Sequence, residues 1–246
     1  MTIGSNIIFH PKLDSTNVFA SSILKTDAPQ EGTIIRAGVQ TAGKGQMDAS
    51  WESEDEKNLL ISIILYPQKV KITEQFLISM TISLGVFDFI SSYAEGCKIK
   101  WPNDIYVFDE KIAGILIENS VMGNVIVDCV AGIGVNINQE KFVSDAPNPT
   151  SLKLITNSNF DINNCLNELC QRLNKRYERL MLGAYNEIIN DYNINLYRLN
   201  KWSLFSDSQG IFTGRILSVN RYGIITIETD DNKLKEYSFK EVSFIR

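Results

Sequence analysis

The stretch from residue 97 to residue 138 restricts the fold more than any other part of the chain. "CKIKWP", "DIYVF", "KIAGILIEN" and "VIVDCVAGIGVNIN" are four strand-like segments with only short breaks between them. "MGN" (residues 122–124) reads as a turn between the last two, and Asp109–Glu110 reads as the turn of a hairpin between the second and third. Upstream, "GTIIRAGVQT" and "NLLISIILYP" are short, rich in β-branched residues, and also read as strands. Helical spacing appears in "LDSTNVFASSILK", where Ser15 and Thr16 are N-cap candidates, and in "ITEQFLISMTISLGVFDFISSYAEG", closed by Gly96. A second long helix is expected from about Ile162 to Tyr192. Hairpins mixed with helices predict an α+β fold rather than strict βαβ alternation.

After Asn195 the texture changes. "GIFTGRILSVNRYGIITIETDDNKLKEYSFKEVSFIR" alternates in short strands, with turns at residues 220–223 and 230–233. It reads as a small β-barrel leaning on the larger domain. The expected division is 1–195 for the main domain and 196–246 for the β-domain.

Composition removes several classes of function. The chain has 246 residues, 44% of them apolar and 22% charged, an ordinary soluble balance. The run "LLISIILY" is too short to span a membrane, and the N-terminus has no signal-length apolar core, so a cytoplasmic protein is expected. A net charge of −5 argues against a surface that coats nucleic acid. The four cysteines form no CxxC pair and read as reduced, buried thiols. His10 is the sole histidine, which excludes histidine-based zinc clusters and an HExxH helix. The chemistry is expected to run without an imidazole.

Three segments carry chemistry. "GVQTAGKG" (residues 38–45) resembles a P-loop, yet Gly45 stands where a P-loop needs a hydroxyl for magnesium, and the following "QMDASWESEDEKN" lacks helical periodicity. "KWPNDIYVFDEKIAGILIE" brings two lysines, two nearby carboxylates, an amide and a glycine to one hairpin, with Lys111 opening its second strand. In "AGIGVNIN" alternating glycines imply close approach by a ligand or another segment.

Taken in order, "STN", "QTAGKGQ…W", "KWPNDIY…KIAGILIE", "GIGVNIN", "PTSL" and the C-terminal β-domain resemble the biotin–protein ligase family. The resemblance runs from about Leu13 to the C-terminus. It implies a mixed sheet flanked by helices (a class II synthetase-like, SH2-like catalytic domain), followed by an SH3-like β-barrel. It implies adenylation of biotin by ATP with Mg2+, release of pyrophosphate, and transfer of biotin to one lysine of a biotin carboxyl carrier domain. Biotin's carboxylate is already ionised at neutral pH, so the barrier is electrostatic and cations with backbone N–H groups suffice.

By the resemblance, Lys111 is the central catalytic residue, beside the biotin carboxylate and the adenylate phosphate. Ser15, Thr16 and Asn17 would bind the ureido ring and Gln40 the biotin head. Gly114, Leu116, Gly132 and Gly134 would form the pocket around biotin, with Asn136 on the nucleotide side. Asn103 and Asp104 would position ATP and its metal, Asp104 as the metal carboxylate and a candidate base for the transfer step.

The loop of residues 43–51 matches the family's adenylate-binding segment at Gly43, Gly45 and Trp51. Lys44 keeps charge where the first arginine stands, without its planar fork. Gln46, Asp48 and Ala49 replace the second arginine, a glycine and the third arginine. By the resemblance, Gly43, Lys44, Gly45 and Trp51 of this loop would also contact biotin, and Lys44, Gln46 and Trp51 the nucleotide, with a weaker grip on the adenylate. Two other readings stay open: a lipoate–protein ligase, whose "RRxxGGG" segment is missing, and a non-catalytic biotin-binding or carrier-docking protein. A homodimer is also left open.

Some relatives carry an N-terminal winged-helix repressor domain. "STN" at residue 15 leaves no room for one, so operator binding is not expected. A salt-sensitive, sequence-specific shift of operator DNA would contradict that expectation.

Overall fold

In the computed structural model, which describes residues 3–46, 49–144 and 148–245, the strand-like segments become one seven-stranded sheet. The chain runs β1 (Ile7–Leu13), α1 (Thr16–Thr26), β2 (Ile34–Gln40), β3 (Asn58–Leu65), α2 (Phe76–Ile90), β4 (Cys97–Lys100), β5 (Asp104–Val107), β6 (Glu110–Met122) and β7 (Val125–Asn136). It continues through α3 (Leu152–Thr156), α4 (Ile162–Met181) and α5 (Tyr185–Ile194). Strands β8 (Trp202–Asp207), β9 (Gly210–Val219), β10 (Ile225–Thr229), β11 (Leu234–Tyr237) and β12 (Ser243–Phe244) complete it.

The large sheet has the order β1-β2-β3-β7-β6-β5-β4. Only β1 and β2 pair in parallel; the other neighbours are antiparallel. The last five strands form a separate antiparallel sheet, β11-β10-β9-β8-β12. The α+β expectation therefore holds.

Strand β3 is buried at every position, as its continuous apolar run requires of a central strand. Its odd-numbered residues Ile61 and Ile63 join the main core with α2 and α4, while Ile64 joins Ala20 of α1, Ile35 and Val130 on the other face. Helix α2 lies inside that main core, with eleven of its fifteen residues buried. Residues Ile72–Ile90 match a membrane helix in length and hydropathy, but this burial makes them a core helix. All four cysteines are buried and unbridged, and burial pushes the Cys97 thiol up to about 12.

Several boundaries differ from expectation. The helix expected from Ile162 to Tyr192 is two, because Gly183 takes a left-handed φ of +79° between α4 and α5. Helix α2 ends at Ile90, and Gly96 instead shapes the turn into β4. Phe108 and Asp109 make the β5–β6 turn, since Val107 pairs with Glu110. Strand β1 was not among the expected strands; it holds Pro11, whose missing N–H an edge strand tolerates.

The C-terminal sheet is fixed to the larger one. Asn193 of α5 exchanges two hydrogen bonds with the Val219 backbone, at 2.9 and 2.6 Å. Arg221 pairs with Glu74 at 3.0 Å, and the Trp101 indole N–H donates to the Gly223 carbonyl at 3.0 Å.

Helices α2 and α4 meet at Gly85, where a Cβ would lie 2.6 Å from Leu173 Cδ2 and 3.1 Å from its Cα. A glycine inside a helix costs about 1 kcal/mol relative to alanine, so close packing explains its presence. Gly85→Val is expected to lower stability by about 1–3 kcal/mol. Urea unfolding should show a lower midpoint with an unchanged slope.

Candidate active site

The site begins with a hollow in the sheet. Gly114 of β6 faces Gly134 of β7, and Leu116 faces Gly132. A Cβ on Gly134 would lie 2.4 Å from Trp51 Cε2, one on Gly114 2.8 Å from Trp51 Cζ3, and one on Gly132 2.2 Å from Asn17 Oδ1. Side chains at these positions would expel the indole and the amide. Above the hollow lies a cavity of about 310 Å3.

Thr16, Asn17 and Gln40 make one end polar and uncharged. Ser15 takes the N-cap position of α1 in extended conformation, yet its side chain makes no capping bond. Gln40 supplies the cap instead: its Oε1 accepts from the Thr16 backbone N–H at 2.7 Å and from the Thr16 hydroxyl at 3.1 Å. The Ser62 hydroxyl lies 2.7 Å from Thr16 Oγ1 and 2.6 Å from Asn17 Oδ1. Asn17 Nδ2 donates to Glu118 at 2.7 Å. Thr16, Asn17 and Ser62 are all buried, so their hydrogen bonds hold the polar end in shape.

The other end is charged. The Lys111 ammonium lies 2.7 Å from Asp104 Oδ1, and both side chains are about one-fifth exposed, at 22% and 21%. It also sits 5.7 Å from the centre of a Trp51 ring. Two backbone bonds fix this part of β6: Lys111 N–H donates to the Asn148 carbonyl at 2.7 Å, and Thr150 N–H donates to the Lys111 carbonyl at 2.9 Å. Asn103 is a strut, its side-chain amide donating to the Ile115 carbonyl while its backbone carbonyl accepts from Ile115 N–H.

The glycine-rich loop is a small hairpin. Lys44 bridges Ser50, Gly45 N–H donates to the Ala49 carbonyl at 2.6 Å, and Trp51 N–H donates to the Gly43 carbonyl at 2.9 Å. Strand β3 follows it, so the helix a P-loop requires is missing there. Lys44, Gly45, Gln46, Ala49 and Trp51 line the cavity; Asp48 lies outside the described residues.

Of the residues singled out from sequence, Thr16, Asn17, Gln40, Lys44, Gly45, Gln46, Trp51, Asn103, Asp104, Lys111, Gly114, Leu116, Gly132 and Gly134 share this cavity. Ser15, Gly43 and Asn136 are buried outside its lining. Asn136 Nδ2 donates to the Thr150 carbonyl at 2.9 Å, and its Oδ1 is buried without a partner.

Other residues escaped sequence reasoning. Phe239 reaches the cavity from the C-terminal sheet and meets Trp101 edge-on at 6.3 Å. Nothing local in "SFKEV" signals this. Ser62 carried a usable signal, a lone hydroxyl inside an apolar strand. Chemically, the cavity suits an elongated acid with a hydrogen-bonding head at Thr16 and Asn17, an apolar middle over the glycines, and a carboxylate at Lys111.

Comparison with known proteins agrees with this geometry. The chain is 28% identical to the bifunctional ligase/repressor BirA of Bacillus subtilis over 243 residues, 96% of this chain and 73% of that protein. It is 29% identical to the biotin–[acetyl-CoA-carboxylase] ligase of Mycobacterium tuberculosis over 143 residues, 56% of this chain and 51% of that protein. The structure of the Aquifex aeolicus biotin protein ligase in complex with biotin and ATP superposes with a TM-score of 0.81 at 24% identity, covering 98% and 99% of the two chains. The sequence model of the biotin/lipoate A/B protein ligase family matches residues 9–137, more than half of the 246. That stretch contains the polar end, the glycine hollow and the Lys111–Asp104 pair, and by it this chain belongs to the biotin/lipoate A/B protein ligase family.

Proposed function

We propose that the chain is an ATP-dependent biotin–protein ligase, which joins biotin to AMP and passes the biotinyl group to a lysine of a biotin carboxyl carrier domain. One observation carries this reading: the polar end at Thr16, Asn17 and Gln40 and the charged end at Lys111 and Asp104 open into one cavity. The relatives named as biotin ligases and the fold shared with a biotin- and ATP-bound enzyme support it.

In the first step an oxygen of the biotin carboxylate attacks the α-phosphorus of ATP and pyrophosphate leaves. Lys111 stabilises the charge that builds between these two anions. Asp104 holds the Lys111 ammonium at 2.7 Å and so orients it. Lys44, also on the cavity wall, adds a second cation. Asp104, a carboxylate on the cavity wall, would hold Mg2+ together with the substrate phosphates. When bound, that ion would neutralise phosphate charge.

In the second step the carrier's lysine amine attacks the acyl carbon and AMP leaves. Asp104 is the proposed acceptor of the amine's proton. Asp104→Asn should slow adenylation, by releasing Lys111 and weakening the hold on Mg2+, and slow transfer further still; equal slowing of the two steps would remove the base role.

Ser15, Gly43 and Asn136 act from behind the wall under this reading, the first two at the biotin side and Asn136 at the nucleotide side. The same reading assigns residues 1–195 to catalysis and 196–246 to a supporting SH3-like β-domain, in a cytoplasmic enzyme.

Three experiments test it. Incubation with ATP, Mg2+, biotin and candidate carrier domains should add one biotinyl group to a carrier, detected by intact mass; unmodified carriers throughout would oppose the proposal. Lys111→Ala should lower adenylate formation about a hundredfold or more while leaving circular dichroism unchanged. With Gln46 in place of a family arginine, release of biotinyl-adenylate should be fast, and Gln46→Arg should slow it about tenfold. An unchanged release rate would show that this position does not grip the intermediate.

A further inference from the structure

The Asn17 amide is held at both ends, and the two ends differ in what they permit. Its Nδ2 lies 2.7 Å from a carboxylate oxygen of Glu118 and 3.5 Å from the Leu116 carbonyl oxygen. Its Oδ1 lies 2.6 Å from the Ser62 hydroxyl and against Gly132, where a Cβ would come within 2.2 Å. A serine hydroxyl donates or accepts, so Ser62 would satisfy this amide in either orientation. A carboxylate only accepts. At 3.5 Å the Leu116 carbonyl is too distant to decide the matter alone. Glu118 therefore fixes which end of Asn17 is oxygen.

Gly132 lines the cavity and Glu118 does not. We propose that Glu118 is a positioning residue for ligand specificity: by drawing Asn17 Nδ2 outward, it presents Asn17 Oδ1 to the cavity as an acceptor for a ring N–H of the ligand. Glu118, outside the cavity lining, engages Asn17 Nδ2 at 2.7 Å, which leaves the oxygen as the amide's contribution to recognition. The inference rests on the proposed function only in taking the cyclic urea of biotin as the group that carries the N–H.

The test compares variants at Glu118, an exposed strand position, in biotin-dependent ATP–pyrophosphate exchange. Glu118→Lys offers only donors and should reverse the Asn17 amide, raising the KM for biotin about tenfold. The KM for ATP, the rate at saturating biotin and the melting temperature should stay at wild-type values. Glu118→Leu, which removes the acceptor without adding charge, should shift the KM in the same direction. Glu118→Gln retains an acceptor oxygen and should stay near wild type.

The double variant Glu118→Lys/Asn17→Asp should recover most of the biotin KM, because a carboxylate presents oxygen at both ends. A wild-type KM in both the Lys and Leu variants overturns the assignment, and so does a loss that the double variant fails to recover. Absence of exchange in the wild-type protein would instead overturn the proposed function itself.

Discussion

The contact between side chains and bare strand backbone on β6 and β7 is the constraint on which the rest of the site depends. Trp51 lies against Gly114 and Gly134, and Asn17 lies against Gly132, at separations no side chain would survive. Three glycines in neighbouring strands carry a cost, since glycine is a poor strand former. Burial offsets it: β3 on one side is entirely buried, and β7 is buried over most of its length. The sheet is thus firm enough to be hollowed. The cavity has strands β6 and β7 as its floor, with the loop of residues 43–51 and Phe239 adding to its walls.

The two ends of the cavity are held by different physics. At the polar end a chain of short polar contacts joins Gln40, Thr16, Ser62, Asn17 and Glu118, from four separate elements. Glu118 fixes the Asn17 amide and Ser62 adapts to it, so the pattern of donors and acceptors is set before any ligand arrives. At the charged end, Lys111 is held by Asp104 and by backbone bonds to residues 148 and 150. The C-terminal sheet adds Phe239 to the wall and anchors Trp101 through Gly223. That sheet is therefore part of the site, whatever else it does.

Much of this was legible in the sequence because it is local. Strand runs such as "VIVDCVAGIGVNIN" and the helix at "STNVFASS" carry their own periodicity, and the hairpin around Lys111 followed from spacing alone. The parts that were missed are nonlocal. Capping of α1 by Gln40 depends on a residue 24 positions away in sequence, so Ser15 looked sufficient. Phe239 reaches the cavity only through the docking of one sheet on another. Gly183 was read as one more helical position, although its left-handed conformation divides α4 from α5. Strand β1 went unread; it holds Pro11, and its edge position makes the missing N–H acceptable.

The central claim is that this cavity activates a ureido-containing acid as its adenylate. Its most direct test is ATP–pyrophosphate exchange by the wild-type protein with biotin and lipoate assayed side by side. Lipoate shares the carboxylate and the apolar chain but offers no N–H to Asn17 and no carbonyl to the polar end. The account predicts exchange with biotin and none above background with lipoate. Exchange driven by lipoate, or by neither acid, would contradict it.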